Sequence, residues 1–447
     1  MNRFAHGVAA PPQRGVLRRS LGSVLVLALA GGAQLATAGP CNQVSYNPDL
    51  VEQASPGIHT STFVDEVVLG MADSQVKGYV ATLTNARGEI VVEIEQGQAR
   101  TLCDPGGQRA FDVGTQTPWG SVSKLITTAA AIKVARQFNV DLDDPIVNHL
   151  PYRWRSQLHP RFANGESGSG PVTLRMMLQH RGGFRHSSCG GRTIKQRLLD
   201  GDAANCAAAN QPPTAAPPTV GSRSYANMSQ GLFQIMLAYM AAPVTMQVFE
   251  SQAAGYNTAD YDAFIQMATN NSYRGLVNTQ LYAPIGISGS CNMAEISTAQ
   301  PNGNYIRWYD DASDSSGTLP HDQNHTCAAG AWILSSAQMR KLLFQLKHTE
   351  NLLLREDYAL MEAGYSDSLG WWKSDWDIGR TWSHNGQWSG TRAEVRSLPG
   401  GYIATLVMNS ANFADSAGGV LDDAFRDARV KGLAHAVVAA QAAPGMF

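Results

Sequence analysis

The sequence has 447 residues, 44% hydrophobic and 16% charged, with 34 Lys and Arg against 36 Asp and Glu. That length allows one large domain or roughly two to three smaller ones with a real core. A formal net charge of -2 at this composition disfavours a basic nucleic-acid binder, an acidic tail protein and a disordered chain.

In chain order, the first segment reads as a targeting signal. Arg14, Arg18 and Arg19 precede the apolar stretch Leu21 to Leu29, and Ala36-Thr37-Ala38 supplies small residues for cleavage. Residues 1–38 are therefore expected to be removed, with Arg18-Arg19 leaving both Sec and twin-arginine export open. Pro40 before Cys41 argues against a lipoprotein anchor, and no later segment reaches the ~18 apolar residues that span a bilayer. The expected product, residues 39–447, is a soluble exported protein, periplasmic or secreted, with no membrane span. The six cysteines, Cys41, Cys103, Cys189, Cys206, Cys291 and Cys327, all follow the cleavage point and none forms a C-x-x-C pair, which points to disulfides. Many pairings are open; shorter loops favour Cys41 with Cys103, Cys189 with Cys206, and Cys291 with Cys327. No His lies at ligand spacing from a cysteine pair and no H-E-x-x-H occurs, so no metal is implied.

Val76 to Thr84 and Glu89 to Glu95 read as a hairpin turned by Asn85-Ala86-Arg87-Gly88. Ser121 to about Gln137 reads as a largely buried helix with Pro118 upstream. From Asp141 to about Gly330, short helical candidates such as Thr173 to Gln179 and Gln230 to Met240 alternate with loops rich in Gly, Pro and Asn. A helix from Leu334 to Leu346 leads back to strands at Thr391 to Leu398 and Tyr402 to Met408, and a helix from Leu421 to Ala434 closes the chain. The organisation is strand and helix at both ends with a mostly helical insertion between.

Three constellations carry chemistry. In Ser121-Val122-Ser123-Lys124, positions i and i+3 share a helix face, so Ser121 Oγ and Lys124 Nζ come within hydrogen-bond reach. Burial and the helix N-terminus both favour a neutral lysine, which can take the serine proton. The amide of Ser121 can face a developing oxyanion. In Tyr225-Ala226-Asn227, a phenol near a lysine loses its proton more readily and can shuttle one, while the Asn amide can fix a substrate carbonyl. In His384-Asn385-Gly386, glycine lets substrate backbone lie close on a strand edge, and the amide of Gln387 can complete an oxyanion hole. Two matches serve as decoys: Ser74-Gln75-Val76-Lys77 repeats the first pattern before a strand, and His180-Arg181-Gly182 repeats the third at a helix-to-loop boundary. Trp371, Trp372, Trp376, Trp382 and Trp388 gather toward the third constellation, as cleft wall or as core. No G-x-S-x-G, G-x-G-x-x-G or P-loop occurs, so no α/β-hydrolase elbow and no nucleotide cofactor are implied.

The order S-x-x-K, Y-x-N, H-x-G resembles the class C β-lactamase, D-alanyl-D-alanine carboxypeptidase and related esterase group of serine hydrolases, over roughly residues 60 to 415. Leu142-Asp143-Asp144-Pro145 with Leu150-Pro151 is similar to that group's LDDP…LP segment. Thr173 to His180 is similar to its T-L-R-x-L-L-x-H helix, Leu281 to Gly286 to its PLG, and Ala328-Ala329-Gly330 with Leu334-Ser335 to its Gly-rich entry to a helix. The resemblance implies an α/β fold of the α+β type, an antiparallel sheet flanked by helices with a mostly helical inserted domain: residues 39–139 and 331–447 for the sheet part, 140–330 for the helical part.

The resemblance also implies an acyl-enzyme mechanism, with Ser121 as nucleophile, Lys124 as base and Tyr225 as proton relay. Asn227, His384, Gly386, Gln387 and Arg392 are expected to bind a small-molecule or peptide substrate. Class C β-lactamases usually carry K-T-G where His384 stands; H-x-G occurs among the group's carboxypeptidases, D-aminopeptidases and esterases. An esterase or D-amino-acid peptidase is thus the first expectation, with β-lactam hydrolysis and a non-catalytic penicillin-binding or sensor protein as alternatives. Arg392 is expected to supply the charge that His384 lacks.

Overall fold

The computed structural model describes residue 41 and residues 49–72, 76–166, 168–186, 193–202, 217–364, 367–376, 378–411 and 418–442. The expected signal segment, Cys189 and Cys206 lie outside them. Strand β1 (Asp49–Glu52) and helix α1 (Thr60–Ala72) precede a hairpin of β2 (Gly78–Thr84) and β3 (Ile90–Arg100). The Asn85 side chain turns this hairpin by accepting from the Arg87 and Glu89 amides at 2.9 and 3.2 Å.

Late in the chain come β4 (Trp372–Trp376), β5 (Gly379–Trp388), β6 (Thr391–Leu398) and β7 (Tyr402–Met408). With the two-residue strand Arg109–Ala110 on β3, they complete an eight-stranded sheet in the order β1-β3-β2-β7-β6-β5-β4, and every pairing is antiparallel. The centre of the sheet joins the two ends of the chain: β2 lies against β7, Tyr79 opposite Met408. Both strands are buried at every position, as expected where each face is covered.

One face is covered by α1 and the C-terminal helix α9 (Gly418–Ala442), where Phe63, Val67, Leu421 and Phe425 pack on Leu83 and Leu406. The opposite face packs against α8 (Ser336–His348) through Met339 and Leu342, in a core continuous with the helical region. Helix α2 (Ser123–Gln137) adjoins that region, which contains α3 (Leu174–Leu178), α4 (Asn227–Gly231), α5 (Phe233–Ala241), α6 (Pro243–Gln252) and α7 (Thr258–Val277). The protein is thus a mixed α/β structure with an antiparallel sheet flanked by helices. Among the described residues, no single helix is long and apolar enough to cross a membrane.

Several expected elements differ in detail. The helix read from Ser121 begins instead with a tight 3-10 turn, Gly120–Val122, which runs into α2 at Ser123. The segment from Gln230 divides into α4 and α5 at Leu232. Helices α1 and α7 are further elements that the sequence reading lacks: α1 buries Phe63, Val67 and Met71, and α7 buries Tyr261, Ile265, Thr269, Tyr273 and Val277, each set four residues apart on one face; Asn257 caps α7 by accepting from the Asp260 amide at 3.0 Å. Disulfides join Cys41 to Cys103 and Cys291 to Cys327, two of the three pairings that short loops favour.

Candidate active site

Helix α2 is buried on almost every side, and Lys124 lies in its first turn with no exposed surface. An ammonium there has lost its water without gaining a carboxylate. Three oxygens face Nζ instead: Ser121 Oγ at 3.0 Å, Asn227 Oδ1 at 2.9 Å and the Ala329 carbonyl. Burial brings the amine down from 10.5 to about 7. The charged form donates to Ser121, and the neutral form has a lone pair to accept from it.

The Tyr225 hydroxyl reaches the same serine, donating to Ser121 Oγ at 2.7 Å, and lies 3.4 Å from Asn227 Oδ1. Ser121, Lys124, Tyr225 and Asn227 therefore form one connected network. The expectation that the nearby lysine eases the phenol's ionisation is corrected. Burial, the larger effect, pushes Tyr225 up, so the resting phenol keeps its proton.

The third constellation lies on β5. Strand β4 pairs β5 only from Gly379 to Ser383, so among the described residues no further strand covers that edge from His384 to Trp388. The turn carrying Ser121 approaches there, and two glycines permit it. A Cβ on Gly386 would lie 2.1 Å from the Trp119 carbonyl oxygen, and one on Gly120 would lie 2.6 Å from the Gln387 backbone nitrogen. Gly120 also has φ +52°, a left-handed conformation that costs other residues energy. The Gln387 amide thus lies beside the turn that carries Ser121.

The His384 ring is buried and donates from Nδ1 to the Asn385 carbonyl at 2.9 Å, which leaves the lone pair on Nε2. Burial first, and Lys124 second, push it down to about 3, so this position carries no charge at neutral pH. Arg392 stands across the strand pair from Gln387 and donates from Nη1 to the carbonyls of Trp388 and Thr391 at 3.0 and 3.1 Å. A cleft of about 1040 Å³ opens beside these groups, bordered by Tyr225, Asn227, Gly386, Gln387, Trp388 and Arg392.

Tyr225, Asn227, Gly386, Gln387 and Arg392 thus border one cleft, Ser121 and Lys124 are tied to it by hydrogen bonds to Tyr225 and Asn227, and His384 is buried on the strand that carries Gly386. Of the decoys, Lys77 is structural: it donates to the Ala312 carbonyl at 2.5 Å beneath the Tyr309 ring, and residues 73–75 lie outside the described ones. His180 is no decoy by position, since its ring stacks on that of Tyr225 with centroids 4.8 Å apart. The tryptophans divide: Trp371 is core, Trp372 stacks on His180, Trp388 borders the cleft, and the Trp376 side chain lies outside the description. Sequence reasoning also missed the Ala329 carbonyl, a backbone atom that no side-chain pattern signals.

The model of the beta-lactamase family matches residues 67–422. The chain belongs to the beta-lactamase family. Its fold is shared with a class C beta-lactamase from Rhodobacter sphaeroides, at TM-score 0.57 and 14% identity over 84% of this chain and 99% of the other. A beta-lactamase/D-alanine carboxypeptidase from Pseudomonas syringae matches at TM-score 0.57 and 14% identity, over 82% and 98%. A D-stereospecific amidohydrolase from a Streptomyces species matches at TM-score 0.54 and 18% identity, again over 82% and 98%. At these identities the likeness is one of fold. No curated protein matches the sequence.

Two outcomes follow for this member of the beta-lactamase family. Gly386→Ala forces the turn at Trp119 away from β5, and its stability, measured by urea unfolding, should fall by about 1–3 kcal/mol, the usual cost of overpacking. Lys124 takes up a proton on unfolding wherever the pH lies between about 7 and its ordinary 10.5. Stability should therefore rise with pH through that window and be lost as pH falls toward its lower end. Lys124→Met should flatten this slope in unfolding titrations at the two limits.

Proposed function

We propose that the protein is an exported serine hydrolase acting through an acyl-enzyme on an ester or amide bond of small acyl or D-amino-acid substrates. The observation that carries this reading is the position of Ser121 Oγ between two proton-handling groups, Lys124 Nζ at 3.0 Å and the Tyr225 hydroxyl at 2.7 Å. With its amine held near neutrality, Lys124 accepts the Ser121 proton as Oγ attacks the carbonyl carbon. The amides of Ser121 and Gln387 receive the oxyanion. Tyr225, protonated at rest, hands its proton to the leaving group as the scissile bond breaks and recovers one from Lys124. Water then hydrolyses the Ser121 ester. Asn227 holds the lysine and the substrate carbonyl side of the cleft.

His384 and Gly386 form the floor on which the substrate lies. A neutral His384 gives this box no cation for a substrate carboxylate, which weighs against efficient β-lactam turnover. Arg392 supplies that charge from the neighbouring strand; one of its nitrogens is held by two carbonyls, and no acidic side chain offsets the burial that lowers its pKa. Export follows from the signal-like residues 1–38, with support from the two disulfides. The division into a sheet part and a helical part, with the cleft between, belongs to the same reading.

Intact-mass spectrometry after brief exposure to a fluorophosphonate, and separately to penicillin, tests the mechanism. The mature protein should gain the mass of the adduct and Ser121→Ala should not. A lasting penicilloyl adduct marks a carboxypeptidase-like site, and rapid release marks a β-lactamase. A folded protein that neither reagent labels overturns the mechanism in favour of a binding protein. The acylation rate should rise with pH through a midpoint near 7, where Lys124 loses its proton. Arg392→Ala should raise KM for an anionic ester more than for its neutral analogue; equal KM changes rule out the carboxylate role.

A further inference from the structure

His180 follows the C-terminal end of α3 in a left-handed conformation, φ +58°, with 1% of its surface exposed. Three separate contacts tie it to the segment bearing Tyr225. Its carbonyl accepts from the Ser224 amide at 2.8 Å. Its ring Nδ1 faces the Ala226 amide at 3.2 Å, and since a backbone N–H only donates, Nδ1 is the acceptor and the neutral ring carries its proton on Nε2. Its ring face lies on Tyr225, 4.8 Å between centroids.

The contact continues on both sides. Trp372 stacks on His180 at 5.6 Å with the Arg223 guanidinium 4.2 Å from the indole ring, and Lys124 Nζ lies 5.1 Å from the Tyr225 ring centroid. Residues 224 and 226, the two neighbours of the tyrosine, are therefore each bonded to one histidine, and the ring between them rests on its imidazole. Rotation of this segment would carry the phenol off Ser121, whose bond to it is 2.7 Å long.

We propose that His180 is a positioning residue, which fixes Tyr225 on Ser121 through its carbonyl, its Nδ1 acceptor and its ring face. The inference rests on the reading of Ser121, Lys124 and Tyr225 given above. A charged imidazole would lose the Nδ1 lone pair and with it the bond to Ala226. Burial, with the positive charges of Lys124 and Arg223 adding to it, opposes that protonation by holding His180 well below the ordinary histidine range.

The residue's own backbone supplies the controls. Asparagine and glycine both accept a left-handed conformation, but only asparagine presents an acceptor, Oδ1, where His180 has Nδ1. His180→Gly should slow phosphonylation of Ser121 by a fluorophosphonate, in which the Ser121 oxygen displaces fluoride from phosphorus, by about 10²-fold, the loss that a ~1 Å misplacement of a catalytic group brings. KM for a neutral ester should change far less than kcat. His180→Asn should recover a large part of that rate. In a Tyr225→Phe background, which has no hydroxyl to position, His180→Gly should cause little further loss.

Circular-dichroism melting of each variant ensures that rates are compared per folded molecule. A wild-type rate of phosphonylation in His180→Gly overturns the proposal. So does equal impairment of the Gly and Asn variants, or a His180→Gly loss that persists in full without the tyrosine hydroxyl. If Ser121→Ala abolishes labelling and Tyr225→Phe slows it while His180→Gly does not, His180 alone is excluded. If the wild-type serine never labels, the mechanism itself fails and His180's role fails with it.

Discussion

A lysine amine buried without a carboxylate is the constraint from which the rest of the site follows. Ion pairing would have kept Lys124 permanently charged and useless as a base. Surrounding it with Ser121, Asn227 and the Ala329 carbonyl satisfies its hydrogen bonds while leaving the charge uncompensated. The cost of that choice is met elsewhere, by a helix α2 packed on almost every side and by apolar layers on both faces of the sheet. The same desolvation acts on the neighbours. It keeps the Tyr225 phenol and the His384 imidazole uncharged, so that Lys124 alone titrates near neutrality among these groups.

Close backbone approach is the second requirement, and it explains where side chains are missing. Gly120 and Gly386 face each other so that the turn carrying Ser121 can touch the edge of β5. The edge is accessible because β4 stops at Ser383's partner, Trp372. Strand alternation then sorts the motif: His384 and Gly386 point into the molecule, Asn385 and Gln387 away from it.

Much of this was legible in the sequence because spacing on a helix or strand fixes direction. Ser121 and Lys124 at i and i+3, and the alternation from His384 to Gln387, could be read without coordinates. So could the β2–β3 hairpin, since Asn85 forms its turn by local bonds alone. What could not be read depends on residues far apart in sequence. The sense of the Tyr225 shift follows from burial by segments that no local pattern reveals. The Ala329 carbonyl is a backbone atom brought in by tertiary packing, and His180 was set aside because its motif occurs before the tyrosine it touches. Helices α1 and α7 each bury one face at four-residue spacing, but in α7 the buried Thr269 and Asn270 are polar, which dilutes the apolar signal.

The pairing of β2 with β7 also governs when the molecule becomes whole. In chain order Ser121, Lys124 and Tyr225 come long before β5, and the sheet's central seam, where Thr82 and Thr405 share a hydrogen bond across 323 residues, cannot close without β7. Contacts of such separation make for slow folding, with the early strands and the helical insertion waiting for a partner. A chain truncated before β5 holds Ser121, Lys124 and Tyr225 yet lacks His384 and Gly386. Competence consequently waits on strands far from the nucleophilic candidate in sequence.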